Sequence, residues 1–451
     1  MKTTLTVLIT GLLLGACAPA DDLLAIENVA VVAMDANRVL ADQTVLIQAD
    51  TIAAVGPTAA LEVPRRATRV DGSGLYLMPG IAEMHAHLPA EDDPPGLIEA
   101  VLTLFVSQGV TFGRGMLGAD AHPELRDAIA AGELLGPTLL VASPMFTGEI
   151  DDPEEARARV QRYHREGFDL LKIGEGIAPE VYEALVAEAK NLEMPFAGHV
   201  SDAVGLLDTL SAGQSTIDHL DNYVEALRSD EAPDSFRPIF DADRLTAYAK
   251  TERIPALVAA TRDSRTAVVP TMLLWHRFFG DDPIDELYAA TPEARYLPRS
   301  MVANWAPRLE SIRERVDPEM GLDLLALRRE ILRELHDGGV YVLLGSDAPQ
   351  LFSVPGFSAH AEMRYLQNEV GLPPFMVLFS ATRAVPEHIG QPEAFGTILP
   401  GRRADLILLR GNPLEDVANV ARIEGVVLRG RWLPRQELDA RLEAIAARFA
   451  H

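Results

Sequence analysis

Eight short apolar runs, alternating with stretches of helical periodicity, restrict this chain to very few folds. They lie near residues 78–87, 108–114, 137–143, 169–174, 195–200, 215–220, 266–271 and 340–346. Parallel neighbours need a crossover of a dozen or more residues, and strand-length runs spaced by helix-length patterns supply that rhythm. Eight such units over roughly 300 residues predict an α/β fold, a (β/α)8 TIM barrel at 80–394. One sizeable insertion, about 272–320, follows the seventh strand and carries Trp275, His276, Phe278, Phe279, Tyr288, Tyr296 and Trp305. It would form a lid or pocket wall, or else pack helices together. Residues 23–79 and 395–434 instead show short β-rich runs between turn signals, at 25–32, 44–48 and 51–55 and again at 404–409 and 423–432. They are expected to build one small composite β-sandwich, followed by a C-terminal helix at 435–451.

The first barrel run ends Glu83-Met-His-Ala-His87, directly after a Pro-Gly break. Side chains alternate along a strand, so His85 and His87 share a face, with Glu83 one step behind. Two same-face imidazoles at a strand end can grip one metal ion. Lysine usage adds a second signal. Only Lys2, Lys172, Lys190 and Lys250 occur among the 40 basic residues, yet Lys172 stands inside a run that reads as a buried strand. A buried ammonium is costly unless it is paired or neutral, and lysine, unlike arginine, can become neutral and react with carbon dioxide to give an N-carboxylate. An ordinary lysine paired with a nearby carboxylate would explain the same placement. His199, His219 and Asp347 each end an apolar lead-in as well. Barrel strand ends converge on one face, so these distant residues would meet there. Imidazoles with oxygen donors suit zinc first, with manganese, cobalt or iron as alternatives.

The N-terminus reads as an export signal at 1–17. Lys2 is its positive end, and residues 5–14 are an apolar stretch too short to anchor in a bilayer. It ends Leu14-Gly-Ala-Cys17, and Cys17 is the only cysteine of 451 residues, so no intramolecular disulfide can form. The run resembles a bacterial lipobox. That resemblance implies lipidation of Cys17, with residues 18–22 as a tether and this anchor as the only membrane contact. The chain would face the periplasm or cell exterior, and Ala18 favours the outer membrane. A formal charge of −26 excludes nucleic acid and anionic lipid headgroups as partners. The expected partner is a small-molecule substrate, with oligomerisation left open.

Several stretches together resemble the amidohydrolase superfamily, from about residue 23 to 434. They are Met78-Pro-Gly-Ile-Ala-Glu-Met-His-Ala-His87, Gly109-Val-Thr-Phe-Gly-Arg114, Leu125-Arg-Asp-Ala-Ile-Ala-Ala-Gly132, Gly345-Ser-Asp-Ala348 and Pro400-Gly-Arg-Arg-Ala-Asp-Leu406. The imidazolonepropionase-like and prolidase-like branch is the most similar. Carried onto this chain, the resemblance implies one metal held by His85, His87 and Asp347 and a second by His199 and His219. N-carboxylated Lys172 would bridge two divalent ions. The chain departs from the pattern at Glu83, where Asp is usual, and at Asp218, where Glu is usual.

That constellation implies hydrolysis of a carbon–nitrogen bond in a dipeptide-like or N-acyl amino acid substrate. Paired ions would make hydroxide available near neutral pH, and Asp347 would act as general acid–base. A lactone or phosphotriester is an alternative substrate for the same centre, and a retired scaffold serving as a binding lipoprotein is the rival from another class. Arg114, Tyr223 and His360 are the candidate substrate contacts, with Ser358 and Glu362 in the same expected loop after strand eight. His122, His164, His336, His388 and His451 are read as non-catalytic.

Overall fold

Pro79-Gly80 does not lead into one strand but separates two. Tyr76–Pro79 remains with the chain ends, and Ile81–Ala86 opens the barrel, so the run expected at 78–87 is divided. A Cβ on residue 80 would lie 2.1 Å from Thr111 Oγ1, so glycine lets the chain pass this close to the next strand, Val110–Gly115. The computed structural model describes residues 23–233 and 241–450. The expected signal segment and Cys17 lie outside the described residues.

From Ile81 onward the architecture is α/β and TIM-barrel-like. Parallel ladders join Ile81–Ala86, Val110–Gly115 and Thr138–Val141. A second set joins Leu171–Ile173, Phe196–Gly198, Thr216–Asp218 and Ala267–Val269. Isolated parallel bridges, Ala142 to Leu170 and Phe146 to Ile173, link the two sets. The eighth expected strand, 340–346, forms no continuous ladder. It is held by single bridges from Val342 to Val268 and from Ala348 to Ala86, and by hydrogen bonds from Leu343 N to Val268 O and from Met84 N to Leu344 O. Gly345 explains the irregular course. Its chain passes so near strand one that a Cβ there would stand 2.9 Å from that of His85. Nearly every position of the regular barrel strands is buried, as expected for strands covered on both faces.

Helices return the chain between strands, and their starts follow capping chemistry. Asp152 accepts from Glu154 N before Pro153–Arg165, and Asp317 accepts from Glu319 N and Met320 N before Pro318–Asp337. Proline at the first helical position has no N–H to leave unpaired. Ala156, Val160 and Tyr163 form the buried stripe of the first of these helices, at the spacing of a single face.

The two chain ends meet through antiparallel pairing of Tyr76–Pro79 with Leu406–Leu409. Their ladders form one eight-stranded network in place of two separate sheets. One core beneath it gathers Ile26, Val45, Leu77 and Leu406. Arg435–Phe449 then buries Leu438, Leu442, Ile445 and Phe449 and ties back to the first barrel helix, Arg435 donating to Ser107 O at 3.1 Å. After Ala267–Val269 the chain runs through Met272–Phe279, Ile284–Ala289, Arg299–Ala303 and Trp305–Arg313, a helical excursion. Among the described residues no helix is long and apolar enough to cross a membrane.

Gly198 and Gly205 both have positive φ, 129° and 79°, but only at Gly198 would a Cβ collide with backbone, 2.4 Å from Ile173 O. Gly198→Ala should therefore cost about 3 kcal/mol, against about 1–2 kcal/mol for Gly205→Ala. Denaturant unfolding of the two variants checks the difference, and equal losses would mean that the strand 171–173 yields freely.

Candidate metal centre and active-site cavity

Strand alternation brings His85 and His87 to the cavity side of the first strand's end, where Asp347 meets them from the eighth segment. His87 Nε2 lies 2.9 Å and His85 Nε2 3.3 Å from Asp347 Oδ1. Candidate ligand atoms of these three residues all fall within 4.8 Å of one another, so His85, His87 and Asp347 could hold one metal ion. Backbone bonds lock the approach, from Asp347 N to His85 O and from His87 N to Ala348 O, both 2.8 Å. Asp347 itself adopts φ 58°, a left-handed conformation that non-glycine residues take only when their surroundings impose it.

His219 approaches from the other side, its ring centroid 4.5 Å from that of His85 and 4.8 Å from that of His199. Its φ of 62° is also left-handed. Burial pushes the imidazoles of His85 and His219 down, to about 4 and about 3 respectively, so both are neutral at physiological pH, the form that binds cations. Burial alone would raise Asp347, but the imidazoles of His85, His87 and His219 hold it well below the usual carboxylate range.

Lys172 is buried on the strand Leu171–Ile173, and burial lowers its ammonium pKa. Its Nζ stands 3.9 Å from Asp218 Oδ2 and has no hydrogen-bond partner among the described residues. Asp347 Oδ1 is likewise buried without one. Buried polar atoms rarely go unpaired. Neutral imidazoles, an ionised carboxylate and an unpaired amine form a donor set that fits divalent cations.

Three of the histidines stand beside a side chain that steers the ring: Asp218 for His85, Asp221 for His199 and Thr271 for His219. Asp218, where the family pattern has Glu, is buried with Oδ2 2.9 Å from His85 Nδ1, though without the alignment of a full hydrogen bond. Thr216 donates to its Oδ1 at 2.7 Å and Arg114 at 3.2 Å. Asp221 Oδ2 lies 2.7 Å from His199 Nδ1, and Thr271 Oγ1 2.8 Å from His219 Nδ1. Such carboxylate or hydroxyl contacts fix the ring orientation of a metal-binding histidine. The period of two had signalled Asp218, since Thr216 and Asp218 share one inward face. Thr271 and Asp221 gave no comparable signal. Glu83 turns its carboxylate across to the eighth segment, accepting from Ser346 N at 2.7 Å, and burial raises it to about 8.

The candidate substrate contacts are corrected by the same geometry. Arg114 is buried and spent on Met84 O, Thr216 and Asp218. Tyr223 is fully buried, its hydroxyl 2.8 Å from Thr261 Oγ1. Ser358, His360 and Glu362 stand on the buried helix Phe357–Tyr365 and not in a mouth loop. Ser358 Oγ accepts from Val354 N, His360 meets Gln108 O, and Glu362 accepts from Met272 N and Leu273 N. All of them satisfy local backbone or buried partners, which sequence spacing cannot reveal.

The cavity itself measures ≈ 310 Å³. His85, His87, Lys172, His199, His219 and Asp347 all line it, and none of Arg114, Tyr223 or His360 does. Leu274, Trp275 and Phe278 from the helical excursion form an apolar wall, with Arg308 beside them. The aromatic excursion therefore serves both expected ends, since Trp305 and Tyr296 are buried in packing instead.

A barrel-like α/β fold with histidines and a carboxylate around a cavity at its strand ends is the build of a hydrolase. Residues 76–433 match the amidohydrolase family, and the chain belongs to it: it is a hydrolase acting on carbon–nitrogen bonds. No curated protein is similar enough in sequence to count as a match. Among solved structures, the bottromycin amidohydrolase is 22% identical with a TM-score of 0.71, covering 95% of this chain and 91% of its own. A Xaa-Pro dipeptidase with bound methionine is 19% identical with a TM-score of 0.67, covering 91% of this chain and 100% of its own. The A. niger ochratoxinase is 17% identical with a TM-score of 0.64, covering 92% and 96%. At these identities the likeness is one of fold.

Asp218→Asn would leave Arg114 buried without its carboxylate, and should lower stability by about 3–5 kcal/mol. Tyr223→Phe should cost only about 1 kcal/mol and leave kcat and KM unchanged. Unfolding curves and kinetics on the two variants check both, and a Tyr223→Phe protein with impaired KM would return Tyr223 to the substrate.

Proposed function

We propose that this amidohydrolase is metal-dependent and cleaves an amide-type bond in a dipeptide-like or N-acyl amino acid substrate. The observation that carries the reading is the cavity shared by His85, His87, Asp347, His199 and His219, with the unpaired Nζ of Lys172 in its wall. His85, His87 and Asp347 would hold one cation, His199 and His219 a second, and N-carboxylated Lys172 would bridge them. Zinc is the first choice for such a donor set, with manganese, cobalt or iron as alternatives. Bound cations would supply Lewis acidity, acidifying water and polarising the scissile carbonyl.

The remaining work falls to side chains. A water oxygen bonds to the carbonyl carbon while Asp347 takes its proton at the carboxylate. The same proton then passes to the leaving nitrogen as the carbon–nitrogen bond breaks. Asp218, Asp221 and Thr271 hold the rings of His85, His199 and His219 in register. Leu274, Trp275 and Phe278 offer an apolar surface to the substrate body and keep bulk water away. Arg308 is exposed on this wall, placed to receive a free carboxylate, and a guanidinium suits that group by its forked donors. The dipeptidase named among the similar structures acts on a substrate of this general kind.

Screening dipeptides and N-acyl amino acids against the metal-loaded protein tests the substrate class, and activity confined to lactones or phosphotriesters would overturn it. Lys172→Arg should lose at least one bound metal by elemental analysis and about 100-fold or more in kcat/KM, while Lys190→Arg on the exposed face of Pro179–Asn191 changes nothing. Lys172→Ala should regain part of its rate with a short carboxylic acid. Normal metal content in Lys172→Arg would reduce Lys172 to a buried cation. Arg308→Ala should raise KM about tenfold for substrates with a free carboxylate and spare their amide-capped counterparts. The export reading is part of the same proposal: Cys17→Ser should abolish fatty-acid labelling and release the folded enzyme, and labelling that persists would refute the anchor.

A further inference from the structure

We propose that Arg328 is a positioning residue that ties the aromatic wall of the cavity to His219, so that the wall sets the second cation position. The inference rests on the binuclear reading above and goes beyond its ligand set.

Arg328 lies on Pro318–Asp337, is 3% exposed, and belongs to none of the elements that carry ligand candidates. Its Nη2 donates to the backbone carbonyl of His219. Its Cζ stands 3.6 Å from the centroid of the Trp275 ring, a cation–π contact at close range. Trp275 lines the cavity and His219 does too. One guanidinium thus grips the peptide of a ligand candidate with its edge and an aromatic wall residue with its face. Lysine could make the first contact but has no flat face for the second.

The peptide it grips is the one that needs support. His219 and Leu220 have φ of 62° and 52°, and Asn222 follows at 63°, a run of left-handed backbone that only surrounding bonds can hold. Thr271, the residue before Met272–Phe279, is left-handed as well at 45° and meets His219 Nδ1 through its hydroxyl. The helix carrying Trp275 is therefore joined to His219 twice, through Thr271 to the ring and through Arg328 to the carbonyl. Glu362 fixes the start of that helix by accepting from Met272 N and Leu273 N. Arg328 Nε has no hydrogen-bond partner among the described residues. A buried cation is a costly way to fill space, since a methionine would pack there without desolvating a charge. The nearby carboxylates of Asp221 and Glu225 offset part of that cost, and its two contacts give the cation its use. A substrate group resting on Trp275 would then bear, through Arg328, on His219.

Cobalt titration of the metal-stripped full chain, followed by visible absorption, tests this. His87→Ala and His199→Ala proteins assign the two binding steps. Wild type should take two cobalt ions per chain. Arg328→Met should weaken the step assigned to His199 and His219 at least tenfold and leave the other unchanged. Arg328→Lys should recover only part of that loss. Trp275→Leu, which removes no ligand candidate, should weaken the same step severalfold, and the double variant should be no worse than Arg328→Met alone. Equal weakening of both steps would make Arg328 merely structural and overturn the proposal, as would an unchanged second step or strictly additive effects. If Arg328→Met does not fold, Arg328→Lys and Trp275→Leu carry the same comparison. A wild-type chain that takes one cobalt only would sink the binuclear reading and this proposal with it, whereas two ions with an indifferent second step would sink this proposal alone.

Discussion

Burying Asp347 among His85, His87 and His219 takes a carboxylate out of water, and much of the surrounding structure exists to make that tolerable. Its φ is left-handed, and its N–H and the neighbouring carbonyls are engaged by the end of the first strand. Gly345 lets this segment lie against His85, and Glu83 reaches across to receive Ser346 N. The eighth segment gives up a regular ladder in exchange for this placement. Regular pairing would have kept the chain extended and carried Asp347 away from the imidazoles.

Charge balance in the barrel follows from the same constraint. Asp218 and Arg114 form a buried pair under the cavity, with Thr216 sharing the carboxylate. A buried pair contributes little net stability, but losing either partner is expensive. Its value is therefore orientation, since Asp218 also stands beside His85 Nδ1 and leaves Nε2 facing Asp347. Asp221 does the corresponding work for His199, and Thr271 for His219. His85, His199 and His219 thus each set one ring nitrogen beside a carboxylate or hydroxyl and turn the other toward the cavity.

The cavity wall comes from a helical excursion after the seventh strand, apart in sequence from the strand ends but bonded to His219 through Thr271 and Arg328. The wall carries Leu274, Trp275, Phe278 and Arg308, an apolar surface with a single exposed guanidinium. Thr271 joins the start of the wall helix to the His219 ring, and Arg328 joins the Trp275 ring to the His219 carbonyl.

The strand positions and the six residues gathered around the cavity were legible in the sequence, because apolar runs mark buried strands and a barrel must bring their ends together. His85 and His87 share a face by the period of two alone. Arg114, Tyr223 and His360 were misread, since a polar residue near a strand end satisfies a buried partner as readily as it meets a substrate. The split at Gly80, the broken eighth ladder and the roles of Asp221, Thr271 and Arg328 depend on contacts between segments far apart in the chain. Local pattern records which residues are buried. Which buried group faces which is decided only when the segments pack, because hydrogen bonds and ring contacts form over a few ångströms in space, whatever their separation along the chain.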